Sequence, residues 1–92
     1  MQFNWNPQKA MLNAQKHGVT FVEAATSFGD PLAQIVDDPN HAETEDRYIL
    51  IGMSEQHRLL LIAFVERGDT VRIISARELT RRERADYEDT RP

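Results

Sequence analysis

Arg58-Leu59-Leu60-Leu61-Ile62-Ala63-Phe64-Val65-Glu66 is the most apolar segment of the chain. Its apolar run, Leu59 to Val65, is seven residues long and does not alternate with polar residues as a half-exposed strand would. A run of that length reads as a strand buried on both faces, so it belongs at the centre of a covered sheet. On its N-terminal side, residues 47–54 hold Tyr48, Ile49, Leu50 and Ile51. On its C-terminal side, residues 71–76 alternate between apolar and polar. Glu55-Gln56 and Gly68-Asp69 connect the three, and links this short join antiparallel neighbours. Residues 32–36 form a further short strand candidate, and residues 41–46 are too polar for a core and read as a loop.

Two helices precede these strands. Asn6 is placed to cap the first, Pro7 suits its first position, Trp5 can staple onto Ala10, and Gly18 ends it after His17. Thr20 caps the second, with Glu23 three residues on as the partner in a capping box. Phe21, Ala24, Ala25 and Phe28 form its buried stripe until Gly29-Asp30-Pro31 stops it. Thr80 and Glu83 repeat the box ahead of a last helix over residues 81–89. Phe3 to Trp5 can add an edge strand, and the order predicts an α+β sandwich: two N-terminal helices on a curved, mainly antiparallel sheet, closed by a C-terminal helix. The whole chain, 1–92, reads as a single domain.

Composition narrows the function classes. There is no cysteine, which excludes a disulfide framework and thiolate zinc sites and fits a reducing cytoplasm. No signal peptide or membrane span is expected, since the longest apolar run is too short. The net charge of −4 is unevenly spread. Residues 1–46 carry two Lys against seven acids, whereas residues 47–92 carry all nine Arg against eight acids. Arginine forks suit phosphate recognition, though Arg-rich segments are also common as solvated faces paired with Glu.

Lys16-His17-Gly18-Val19, Phe21, Glu23-Ala24, Asp30-Pro31 and Arg72-Ile73-Ile74-Ser75-Ala76-Arg77 occur in this order along the chain. With Phe3, Trp5, Asn13, Glu45, Arg47, Gly52, Glu83, Arg84 and Tyr87, they make a sequence that resembles the BrnT family of type II toxins over nearly its whole length. The resemblance implies a RelE-like fold, ribonuclease activity, and a BrnA-type antitoxin that neutralises the toxin and supplies the DNA binding. One departure is Asn6, where the family usually has Asp. Asparagine caps a helix as well as aspartate does, but any chemical role of that carboxylate would be lost.

RNA is cleaved without metal or cofactor when its own 2′-hydroxyl attacks the adjacent phosphate, which requires a base, cations and a proton for the leaving oxygen. Arg58, Arg77 and Arg84 are candidates to stabilise the phosphate, and His17, Glu45 or Tyr87 to move protons. Lys16, Arg72 and Arg84 are candidate RNA contacts. Each has a competing structural reading. Arg58, Arg72 and Arg77 either converge or are salt-bridged surface groups. Arg77 either points into a cleft or pairs with Glu78 or Glu83. Tyr87 either shares a face with Arg84 or is core, and His17 either titrates at a site or caps a helix end. His41, Glu43, Glu45 and Asp46 lack the spacing that orients metal ligands. A non-catalytic interaction domain, binding an acidic partner or serving in a DNA-binding complex, is the alternative function. Direct DNA reading is disfavoured, because no basic helix is set in a helix-turn-helix.

Overall fold

The computed structural model describes residues 1–39 and 46–90. A short strand, β1 (Gln2–Asn4), leads into α1 (Pro7–His17) and α2 (Phe21–Thr26), which tightens into a 3-10 turn over Ser27–Gly29. Then come β2 (Gln34–Asp37), β3 (Arg47–Met53), β4 (Leu59–Arg67), β5 (Thr70–Glu78) and α3 (Arg81–Thr90). The expected caps form. Asn6 Oδ1 accepts from the N–H groups of Gln8 at 2.9 Å and Lys9 at 3.1 Å, and Gly18 takes the left-handed conformation at φ 68° that closes α1.

The sheet order is β1-β5-β4-β3-β2, so the continuous apolar run occupies the central strand. β4 pairs antiparallel with both neighbours, through a turn at Ser54–Arg58 and a tight link whose Gly68 sits at φ 62°. β1 pairs with β5 in parallel, Gln2 opposite Thr70 to Asn4 opposite Arg72, and then stops. β2 begins later than the sequence predicts, because residues 30–33 form a turn. Asp30 Oδ1 accepts from Leu32 N–H at 2.9 Å and its carbonyl from Ala33 N–H at 3.1 Å.

Strand parity divides the core between the two faces. Leu60, Ile62 and Phe64 of β4 pack with Leu50, Val71, Ile73, Ala76 and the helix residues Val19, Phe21 and Ala24. Phe28 sits edge-on between Phe3 at 5.1 Å and Phe64 at 5.0 Å. On the opposite face, Leu59 and Leu61 meet Leu79 and Tyr87 with Ile51, so α3 covers the end of that face nearest the β3–β4 turn. Near the other end of β4, Val65 pairs with Arg47 on one side and Arg72 on the other.

Candidate functional site

Parity sends two of the expected phosphate-binding arginines to opposite faces. Arg58 shares the face of Leu60 and Ile62, towards α1 and α2. Its guanidinium engages the carboxylate of Glu23 through two nitrogens, Nε donating at 2.9 Å, and also donates to the Gly18 carbonyl at 2.9 Å. Glu23 is buried, and its second oxygen also accepts from Ser54 Oγ at 2.8 Å. The bond from Arg58 holds the Glu23 carboxyl below its ordinary range, against the opposing pull of burial. Thr20 accepts from Glu23 N–H at 3.1 Å as a cap should, but the carboxylate turns inward to Arg58 instead of completing a capping box. The cluster ties the α1–α2 corner to the β3–β4 turn.

Arg77 lies on the other face, opposite Leu61. It forks onto Glu83 at 2.7 and 2.9 Å and donates a third N–H to the Glu78 carbonyl at 3.2 Å. Glu83 also completes the N-terminal box of α3, accepting from Thr80 N–H at 2.9 Å. Arg77 first and that N–H second hold its carboxyl at a pKa of about 2. Three of the five guanidinium donors are therefore occupied by described residues. Tyr87 is buried, and its hydroxyl donates to the Leu32 carbonyl at 3.0 Å, whereas Arg84 is exposed. The structure does not bring this pair to one surface.

The alternation expected over residues 71–76 is interrupted in β5. Ala63 pairs with Ser75 but Phe64 with Ile73, leaving Ile74 as an extra residue in a bulge. Beyond Arg72, among the described residues, no strand pairs with this side of β5. Asn13 of α1 takes the place of one, its amide N–H donating to Ala76 carbonyl at 2.8 Å and its oxygen accepting from Ala76 N–H at 3.1 Å. The same amide donates to the Val19 carbonyl at 2.9 Å, which locks the end of α1 against the strand. Between helix and strand lies an open cleft of about 210 Å³ lined by Lys9, Leu12, Asn13, Lys16, His17, Ile74 and Ser75. Among the described residues, no ion pair or hydrogen bond engages the side chain of Lys9, Lys16 or His17.

Ser75 belongs both to this cleft and to the outer face of β5. Arg72, Ser75 and Arg77 stand opposite Val65, Ala63 and Leu61 of the regular strand β4. Ser75 is therefore flanked by arginines roughly 7 Å to either side along the sheet. Arg72 donates to Asn4 Oδ1 at 3.2 Å and meets no carboxylate among the described residues. The arrangement offers a histidine, free ammonium groups and guanidinium donors along one side of one strand, which suits a polyanion.

The family model described as "Ribonuclease toxin, BrnT, of type II toxin-antitoxin system" matches residues 5–83. The chain belongs to the BrnT family. No curated protein matches the sequence. Among solved structures, the crystal structure of the Brucella abortus ribonuclease toxin BrnT is similar in fold. Its TM-score is 0.68 at 23% identity, over 88% of this chain and 99% of that one. This member of the BrnT family is thus a ribonuclease toxin of a type II toxin–antitoxin system, with endoribonuclease activity.

Of the residues singled out from the BrnT resemblance, Lys16 and His17 share the cleft, with Arg72 and Arg77 along the adjoining strand face. Arg58 faces the other layer, Tyr87 is core and Arg84 is exposed on α3. Glu45, like His41 and Glu43, lies outside the described residues. Lys9 and Ser75 were not among the candidates. The signals for them were present: Lys9 precedes Lys16 by two helical turns, and the doublet Ile73-Ile74 breaks the strand alternation.

Proposed function

We propose that this BrnT-family toxin binds its RNA along the open side of β5 and cleaves it at the cleft beside α1. The observation that carries this is the cleft shared by Lys16, His17 and Ser75, with Ser75 standing between Arg72 and Arg77 on one strand face. Lys16 and Arg72 supply net positive charge to the phosphate. Arg77, its charge balanced by Glu83, adds N–H donors without adding charge. His17, an imidazole at the mouth of this surface, moves the proton. The 2′-oxygen of the RNA loses its proton and bonds to phosphorus, the bond from phosphorus to the 5′-oxygen breaks, and that oxygen takes up a proton. A 2′,3′-cyclic phosphate and a free 5′-hydroxyl result, and the nucleophile is internal to the substrate, so no metal is required.

In this reading Arg58 is a positioning residue. It holds the α1–α2 corner, and with it His17 and Gly18, at its place over the sheet. The fold is taken as RelE-like. The counterpart is a BrnA-type antitoxin acting in the cytoplasm, and DNA is contacted only by the toxin–antitoxin complex. Among the described residues no helix is long and apolar enough to cross a membrane. The test is incubation of the purified toxin with a defined RNA in the presence of a metal chelator. Fragments ending in cyclic phosphate are expected, and cleavage that stops on chelation would refute the metal-independent mechanism.

A further inference from the structure

Resting on that reading of the cleft, we propose that Lys9 is a second phosphate-binding residue and that the site takes a single RNA strand by its backbone, without selecting bases. Lys9 and Lys16 are seven residues apart on α1, which returns them to nearly one face about 10.5 Å apart along the axis. Both line the cleft, with Leu12 and Asn13 between them, and among the described residues neither is paired with a carboxylate. Two cations at this separation match successive contacts on a strand that crosses the cleft. A lone phosphate would use one of them.

The groups that ordinarily read bases are committed elsewhere. Single strands are recognised by stacking on aromatic rings and by hydrogen bonds to base edges. All seven aromatic residues of the chain are described: Phe21, Phe64 and Tyr87 are buried, Phe3, Trp5, Phe28 and Tyr48 are partly buried and pack against the core, and none lines the cleft. Phe3, Phe28, Phe64 and Tyr48 form one chain of ring contacts, Trp5 lies edge-on to Phe21 at 5.9 Å, and Tyr87 closes the second cluster. The amide of Asn13 lies in the cleft but is spent on Val19 and Ala76. Lys9 and Lys16 recognise charge, which every nucleotide carries equally, while in the same reading Arg72 and Arg77 are spent on the phosphate and His17 on the proton.

The experiment is binding of uncleavable 2′-O-methyl homopolymers of A, C and U to the full chain and to the Lys9→Ala and Lys16→Ala variants, across a salt series. Affinities for the three homopolymers should agree within about threefold, and each lysine removed should make the slope of log K against log salt shallower by about 0.7. A preference for one base of more than about tenfold would overturn backbone reading. A Lys9→Ala slope equal to wild type, with Lys16→Ala shallower, would remove Lys9 while leaving the cleft. Unchanged binding and unchanged RNA cleavage in Lys16→Ala would overturn the cleft itself, and this inference with it.

Discussion

Replacing Arg58 with alanine should destabilise the fold far more than an ordinary surface change, because it strands a buried carboxylate. Glu23 has a side chain only 2% exposed, and Arg58 supplies two of its hydrogen bonds, leaving Ser54 as the remaining side-chain donor. Removing one partner of such a pair costs roughly 3–5 kcal/mol. The Arg58 side chain is 29% exposed, so water can enter the vacated space, which points to the lower end, about 3 kcal/mol. Taking a urea m-value of about 1.5 kcal/mol per molar, the midpoint falls by about 2 M. The assay is a urea melt followed by circular dichroism. Adding Glu23→Gln to Arg58→Ala should recover about half of the loss, since the cost lies in the orphaned charge. A loss below about 1 kcal/mol, or an Arg58→Ala protein that melts like wild type but cannot cleave RNA, would refute the structural assignment and return Arg58 to the chemistry.

Three further outcomes follow from the same geometry. Tyr87→Phe removes the bond to the Leu32 carbonyl and should cost about 1 kcal/mol in a melt while leaving RNA cleavage intact; lost cleavage in a stable variant would give the phenol a chemical role. The folded-state pKa of Glu83, about 2 against an ordinary 4.5, contributes stability fully present above about pH 4.5 and lost as pH falls towards 2. A pH series of melts should therefore show less acid sensitivity in Arg77→Ala, and an unchanged series would refute the pairing as its cause. Ile62→Ala, at a fully buried position on the central strand, should cost roughly 2–5 kcal/mol in a urea melt, and a loss under about 1 kcal/mol would contradict that placement.

Elements whose cause is local were legible in the sequence. The Asn6 cap, the Gly18 stop, the Thr80–Glu83 box and the central strand Leu59 to Val65 depend on neighbouring residues and on burial, both of which leave a pattern. Other features depend on what the chain meets across the fold. Thr20-x-x-Glu23 reads as a capping box whichever way the carboxylate turns, and its partner Arg58 is 35 residues away. The parallel pairing of β1 with β5 links the two ends of the chain. Parity alone would have placed Arg58 with Leu60 and Ile62. Placing Arg77 on the other face also required the bulge at Ile74, which resets the alternation of β5. Lys16 and His17 announced themselves by type and position, but that they open beside Ser75 follows from Asn13 substituting for a missing strand, a contact with no local signature.

The proposed site of RNA cleavage is the α1–β5 cleft. Its most direct test is the single-turnover rate of RNA cleavage by His17→Ala and by Lys16→Ala, each shown to melt as wild type does. His17→Ala should lose at least about 100-fold, the lower range for a removed acid–base group, and Lys16→Ala less, by an amount that high salt masks. Both variants cleaving within about threefold of wild type would contradict it, since a missing proton-transfer group cannot leave the rate intact.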